Sequence, residues 1–380
     1  PGLPEGVSHP GRHPRDADRR GGALDPDQIT AVILAGGQGT RLRPLTLATP
    51  KPVVPLLNVP FLAYQLALLR RHGITDVVLS CSYLVDEVRR IMGDGAAHGV
   101  RLRYAVEIDP LGTAGGIRNA VDLVRDWVVV LNGDILADPD LSAMLAFHAA
   151  RGSHASIYLT RVPDPSQYGL VELEADGRIR SFIEKPEPGR ATVDTINAGV
   201  YVLHRAVVAA IPTGRAVSIE RETFPGLLHD RVPFYGWVSE NYWLDIGNPT
   251  KYRQGQLDLM AGRVATDVAP PGPSGDGLRV APGARVAADA TLAGPCVIGA
   301  GTRVESGAQV GPNAVLGSDC VVGAGAQVNG AILWDGVTVG PGAILRDCIV
   351  GSQVTIGAGA HLGFTAVVEG HTTVPANARL

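Results

Sequence analysis

From residue 280 to the end of the chain an aliphatic residue recurs at every sixth position. Val280, Val286, Leu292, Ile298, Val304, Val310, Leu316, Val322 and Val328 keep this spacing. After one five-residue step it resumes at Leu333, Val339 and Leu345, and after a second at Val350, Ile356, Leu362, Val368 and Val374. Gly follows many of these positions, as at Gly299, Gly311, Gly317, Gly323, Gly340, Gly351 and Gly357. A period of six cannot be laid on a helix of 3.6 residues per turn. It fits short strands stacked as a solenoid, with apolar residues inward and Gly or Asn at corners that need unusual backbone angles.

The remainder of the chain follows a different rule. Thr30-Ala-Val-Ile-Leu-Ala35, Asp76-Val-Val-Leu-Ser-Cys81 and Trp127-Val-Val-Val-Leu131 are short apolar runs of the kind buried in parallel sheets. Between the first two, residues 61–72 read as a helix, with Asn58 at the N-cap, Pro60 near the first turn and Gly73 as the stop. Strand–helix–strand alternation implies a parallel sheet with right-handed crossovers. Asp176-Gly177 marks a hairpin later in the same domain. Residues 1–27 hold almost no large apolar side chains and are expected to be disordered. Residues 263–279, rich in Pro and Gly, read as a linker. The expected order is thus a disordered segment 1–27, a domain over 28–262, a linker over 263–279 and a solenoid over 280–380.

Composition narrows the function. A net charge of −4 offers no basic surface for nucleic acid or anionic membrane. No apolar run approaches the roughly 18–20 residues of a membrane helix, and the N-terminal residues show no secretory pattern. Cys81, Cys296, Cys320 and Cys348 are far apart and form no CxxC pair, as scattered thiols of a reducing compartment would be. A cytoplasmic protein is expected. The ten His residues show no metal-ligand spacing.

The loop after the first strand is the most informative chemical segment: Leu34-Ala35-Gly36-Gly37-Gln38-Gly39-Thr40-Arg41-Leu42. Three glycines let the backbone approach a ligand, and the end of a parallel strand is where open α/β sheets bind. Gly-Gly-x-Gly alone is equally a plain connector. No Gly-Lys-Ser/Thr makes it a P-loop, and Leu42 stands where a dinucleotide fingerprint would place its third Gly. What tilts the balance is Arg41 with Pro50-Lys51-Pro52, since a mobile triphosphate needs fixed cations beside such a loop.

The full string resembles the Gly-Gly-x-Gly-Thr-Arg-Leu and Pro-Lys-Pro signature of sugar-nucleotide pyrophosphorylases, the sugar-1-phosphate nucleotidyltransferases. The resemblance continues through Asn132-Gly133-Asp134, Tyr168-Gly169, Glu184-Lys185-Pro186, Asn197-Ala198-Gly199 and Trp243-Leu244-Asp245-Ile246-Gly247. The six-residue repeat likewise resembles the hexapeptide repeat of left-handed parallel β-helices, a common companion of that domain. The implied fold is α/β, with a Rossmann-like mostly parallel sheet followed by a left-handed β-helix.

The resemblance implies roles. Leu34, Ala35, Gly36, Gly37, Gly39 and Thr40 would cradle the triphosphate, Arg41 would clamp its outer phosphates, and Lys51 would lie near the α-phosphate. Asp134 and Asp245 would hold Mg²⁺, with Asn132 and Gly133 beside them. Gly169, Glu184, Lys185, Asn197 and Gly199 would form the sugar-phosphate side. Tyr83 and Gly112-Thr113-Ala114 would approach the base, and the Gly-Thr-Ala-Gly form is similar to guanylyltransferases. GTP and mannose 1-phosphate are the implied substrates. Adenylyl or other nucleotidyl transfer to glucose 1-phosphate or a carbasugar phosphate stays open, as does a non-catalytic scaffold. The β-helix is expected to drive homo-oligomerisation, and residues 263–380 to be removable with more loss of assembly than of chemistry.

Overall fold

The computed structural model describes residues 24–184, 193–268, 274–275 and 277–380. Of the amino-terminal segment, residues 1–23 lie outside that set. Leu24 packs against the core, and the Asp25 side chain caps a short turn at Pro26–Gln28.

The first domain is built on one twisted sheet. Its elements in chain order are β1 (Ile29–Leu34), α1 (Phe61–Arg71), β2 (Asp76–Cys81), α2 (Val85–Met92), β3 (Arg101–Val106), α3 (Gly112–Asn119), β4 (Trp127–Asn132) and β5 (Ile135–Ala137). Then follow α4 (Leu141–Ala150), β6 (Ala155–Arg161), β7 (Gly169–Leu173), β8 (Ile179–Glu184), β9 (Thr195–His204), α5 (Arg205–Ala210), α6 (Phe224–His229), β10 (Phe234–Val238), β11 (Trp243–Asp245) and α7 (Pro249–Met260). The sheet path is β8-β7-β9-β4-β1-β2-β3, with β6 and β10 joined to it through β9. β3, β2, β1 and β4 are parallel; β9 returns antiparallel to β4. The three apolar runs read from sequence are the centre of this sheet, and Val32, Val78 and Val130 are fully buried. The hairpin at Asp176-Gly177 joins β7 to β8.

α1 is buried at every residue from Phe61 to Leu69, which a helix with one solvent face would not be. Leu62, Leu66 and Leu69 face the sheet, whereas Phe61 and Tyr64 join a second cluster on the far side. Gly73, at φ +76°, ends the helix as read from sequence. Asn58 does not cap it. The cap position is Pro60, and the Asn58 amide donates instead to the Leu316 carbonyl of the solenoid, at 2.6 Å.

The solenoid is a three-sided parallel β-helix, with sheets of seven, six and five strands, of which only the first of the seven, Ser274–Gly275, pairs antiparallel. The inward row follows the sequence pattern from Ile298 to Val374. Val286 departs from it and is exposed, because the first coil has a neighbour on one side only. A second inward row, two residues earlier, holds small side chains: Cys296, Ala308, Ala314, Cys320, Ala326, Ala331, Ala343, Cys348 and Ala360. Three of the four cysteines are therefore buried solenoid residues, and all four are free.

One face of the solenoid also points apolar residues outward. Val297, Val315, Ile332 and Ile349 are in register along it. They are covered by Leu57, Tyr64, Tyr252 and Val264 of the preceding domain, and Trp334 joins the same cluster. The Trp334 indole N–H donates to the Tyr252 hydroxyl at 3.0 Å, and Tyr252 in turn donates to the Pro55 carbonyl. Arg253 pairs with Asp347. Among the described residues no helix is long and apolar enough to cross a membrane.

α4 carries a buried titratable group. His148 sits at 2.9 Å from the Ser156 hydroxyl, edge-on to Trp127, and is fully buried. Burial, then the neighbouring His154 and His204, push its pKa down to about 3. The unfolded chain takes up a proton that the native one refuses. The stability this group contributes is therefore complete above about pH 6.5 and is lost as pH falls towards 3. Between pH 6.5 and 4.5 the loss is expected to be about 2–3 kcal/mol. In urea unfolding of wild type and His148→Gln, the variant should lose less stability over that interval. Equal pH slopes would show that another group is responsible.

Candidate active site

A cleft of about 460 Å³ opens at the carboxyl ends of β1 and β4. Because those strands are parallel and in register at Leu34 and Asn132, the loops leaving them face one another. Ala35, Gly36, Gly37, Gln38, Gly39, Thr40 and Arg41 form one wall, Lys51 and Pro52 adjoin it, and Asn132, Gly133 and Asp134 lie opposite. The glycine loop is pinned from behind. The Ala35 N–H donates to the Ser80 carbonyl at 2.7 Å, Ser82 donates to the Gly36 carbonyl at 2.8 Å, and Thr46 donates to the Gly39 carbonyl at 2.8 Å. A Cβ on Gly133 would lie 2.3 Å from the Leu34 carbonyl oxygen, so packing alone demands glycine there. A Cβ on Gly37 would meet nothing within 4 Å. Nothing in the described chain requires that bare backbone, which faces the cleft.

The two aspartates are brought together by a strand pair. β5 begins one residue after Asp134, and β11 ends on Asp245, which pairs directly with Ile135. The Ile246 N–H then donates to the Asp134 carbonyl at 2.8 Å. Each carboxylate has a lysine: Lys51 at 3.0 Å from Asp134, and Lys251 at 3.5 Å from Asp245. Asp245 Oδ1 is buried without a hydrogen-bond partner. That oxygen and a guanidinium nitrogen of Arg41 each lie 3.0 Å from where a Cβ on Gly247 would stand. Arg41 has no carboxylate partner among the described residues.

An unpartnered carboxylate oxygen beside a second carboxylate suits a hard divalent cation, which takes one or two carboxylates and completes its shell with phosphate and water oxygens. Among the described residues no group of three or more His, Cys, Asp or Glu gathers. The pair therefore fits a cation held jointly with a substrate rather than a metal caged by protein alone.

Several other expected positions have hydrogen bonds within the chain. The Tyr83 hydroxyl donates to the Leu47 carbonyl, and Tyr83 is not part of the cleft wall. Gly112 and Thr113 do line it. The Thr113 hydroxyl, however, donates to Glu220 at 2.9 Å and accepts from the Ile219 N–H at 2.8 Å. Ala114 is fully buried, and its N–H donates to the Val217 carbonyl. Of the positions expected on the sugar side, Gly169 opens β7 and pairs with Glu184 at the end of β8. Asn197 is turned inward: its carbonyl accepts from the Gly199 N–H at 2.9 Å, and its amide donates to Tyr201 at 3.1 Å. Gly199 has φ +74°, and a Cβ there would lie 2.7 Å from the Asn132 amide nitrogen. Lys185 lies outside the described residues.

Two residues of the site were not singled out in the sequence. Glu107 directly follows β3 and lines the cleft while nearly buried; it accepts from the Ser80 hydroxyl at 2.8 Å and the Leu111 N–H at 3.0 Å. Its place at a strand's carboxyl end was a usable signal. Lys251, in the first turn of α7, had none, because only folding sets it beside Asp245.

Both domains are similar to known proteins. The Nucleotidyl transferase family matches residues 30–262, and the EIF2B subunit epsilon LbH domain family matches residues 280–380. The mannose-1-phosphate guanylyltransferase of Mycobacterium tuberculosis is 42% identical over 71% of this chain and 75% of its own length. A UTP–glucose-1-phosphate uridylyltransferase of Synechocystis is 34% identical over 67% of this chain and 68% of its own. HddC of Yersinia pseudotuberculosis, solved in complex with GMP-PN, is 29% identical and superposes with a TM-score of 0.52 over 60% of this chain and 99% of its own. Enzymes of this kind generally use a divalent metal. On the glycine loop, the paired aspartates and these matches, the chain belongs to the nucleotidyl transferase family, as a sugar-1-phosphate nucleotidyltransferase whose catalytic domain is followed by a left-handed β-helix.

Proposed function

We propose that the chain transfers GMP from GTP to mannose 1-phosphate, with Asp134 and Asp245 as the residues that would hold Mg²⁺. The observation that carries this reading is the bare Gly37 backbone facing Asp134 across one cleft, with Arg41 and Lys51 at its side. A phosphate oxygen of the sugar 1-phosphate bonds to the α-phosphorus, the bond from that phosphorus to the bridging oxygen breaks, and pyrophosphate leaves with the electron pair. No protein base is needed, because the second pKa of a phosphate monoester is about 6 and the acceptor is already mostly a dianion at neutral pH. The barrier is repulsion between anions plus alignment, so fixed cations and orientation supply the catalysis. Bound Mg²⁺ neutralises charge on the phosphates. Arg41 holds the outer phosphates, Lys51 the α-phosphate, and Gly36, Gly37, Gly39 and Thr40 the chain between them. Gly169, Glu184 and Lys185 are assigned to the sugar phosphate, and the turn at Asn197 and Gly199, held by its own hydrogen bonds, shapes the wall beside it.

Glu107 is the argument for guanine. A buried carboxylate accepts and does not donate. The pairing edge of guanine offers two N–H donors, at N1 and N2, whereas adenine presents an acceptor at N1. A site built to accept therefore discriminates through the polar groups that the wrong base leaves unpaired. Glu107→Gln is expected to lower kcat/KM for GTP about 10–100-fold and to narrow the gap to ATP. Equal losses on both nucleotides would remove Glu107 from base choice.

The direct test is a matrix of nucleoside triphosphates against mannose, glucose, heptose and carbasugar phosphates, read by pyrophosphate release. GTP with mannose 1-phosphate should have the highest kcat/KM. A different best pair would reassign the substrates, and no turnover with any pair would favour the scaffold reading. The reading includes a homo-oligomer through the solenoid, supported by Phe364 and Leu380 exposed at its last coil. It includes a reducing, cytoplasmic compartment, supported by four free, buried cysteines.

A further inference from the structure

The two halves of the site are joined by Trp243, Tyr168 and Lys251, and of these only Lys251 lies outside the signature motifs. Trp243 of β11 donates its indole N–H to the Ala198 carbonyl at 2.9 Å, which ties the strand carrying Asp245 to the 197–199 turn. Tyr168 packs edge-on to Trp243, with ring centroids 5.3 Å apart, directly before Gly169. Lys251 stands where these pieces meet. Its ammonium donates to the Tyr168 hydroxyl at 2.7 Å and reaches Asp245 Oδ2 at 3.5 Å. One partner thus belongs to the sugar side and the other to the carboxylate pair.

The helix fixes this placement. Asn248 caps α7 by accepting from the Lys251 N–H at 2.9 Å, so the lysine leaves the first turn at a set angle. The next residues, Tyr252 and Arg253, hold the opposite side of that turn to the solenoid. The side chain is about one-third exposed, which leaves its third N–H open to a ligand. The group stays a cation at neutral pH.

We infer that Lys251 binds the phosphate of the sugar 1-phosphate, bridging the sugar side and the carboxylate pair as the acceptor is brought to the α-phosphorus. This rests on the proposed reaction. A dianion placed between the sugar turn and Asp245 must pass the Lys251 ammonium, and without that cation it would face the Asp245 carboxylate directly. Lys51 and Arg41, by contrast, line the nucleotide cleft.

The test is calorimetric binding of mannose 1-phosphate, inorganic phosphate, free mannose and GTP to the full chain, as wild type, Lys251→Met and Lys251→Arg, alongside pyrophosphate release. Lys251→Met should weaken mannose 1-phosphate and inorganic phosphate by about 10–100-fold, leave GTP within twofold and leave free mannose unchanged. Lys251→Arg should restore most of the phosphate affinity. Unchanged affinity for mannose 1-phosphate in Lys251→Met would overturn the inference. So would equal weakening of GTP, or a shift confined to the Mg²⁺ dependence of turnover, which would place the lysine in support of Asp245 alone. Absence of pyrophosphate release by the wild-type protein would count against the reaction, while the phosphate-binding comparison would still decide the role of Lys251.

Discussion

Asp134→Asn should lower kcat by about 10²–10⁴-fold while the protein stays folded. The substitution keeps the shape of the side chain and an oxygen that can accept from Lys51, now at 3.0 Å, but removes the negative charge that attracts a divalent cation. Asp134 is one-third exposed and ends no core strand, so the fold has little stake in it. Pyrophosphate release at saturating Mg²⁺, with circular dichroism and thermal unfolding as controls, measures both parts. A kcat within threefold of wild type would end the metal assignment. Asp245→Asn should fall similarly, because its buried Oδ1 has no partner and is the oxygen left for a cation.

Removing the solenoid is expected to disable the catalytic domain. The sequence pointed the other way, to a module whose loss costs assembly more than chemistry. The tertiary contacts reverse that expectation. Truncation after residue 268 would expose Leu57, Tyr64 and Tyr252, which are buried against Val297, Val315, Ile332 and Ile349. It would also take the Leu316 carbonyl from Asn58, Asp347 from Arg253 and the Trp334 indole from Tyr252. α7 would lose the packing of one side while carrying Lys251 on the other. The truncated protein should aggregate, or unfold roughly 8–15 °C lower, with kcat reduced at least tenfold. Trp334→Ala in the full chain is the milder companion and should cost about 3–5 kcal/mol. A truncated enzyme with the melting temperature and kcat of the full chain would show that the interface is only a contact of convenience.

The sequence was most legible where one physical constraint acts on every repeat. The six-residue spacing gave the solenoid because each coil must present an inward aliphatic residue at the same place. Val286 broke the pattern only because the end coil lacks a neighbour. The sheet centre was equally clear, since strands buried on both faces must be continuous apolar runs. Gly36, Gly37, Arg41, Lys51 and Asp134 were legible as a set through the resemblance of their motifs, and the fold brings them to one cleft.

What the sequence determined by itself was therefore the two architectures, which depend on local spacing, and the family, which its motifs carry; the motif residues Gly36 to Arg41, Lys51 and Asp134 do line one cleft. What only the tertiary structure decided was which groups remain free once the chain has folded. Asn58 reads as a helix cap and is a tie to the solenoid; Thr113 and Asn197 read as ligand contacts and spend their hydrogen bonds on Glu220, Gly199 and Tyr201. Lys251 reads as an ordinary helical lysine and stands between Asp245 and Tyr168. A polar side chain satisfies whichever partner lies within about 3 Å, and that partner comes from distant parts of the chain, so its role follows from packing and cannot be read from its neighbours in sequence.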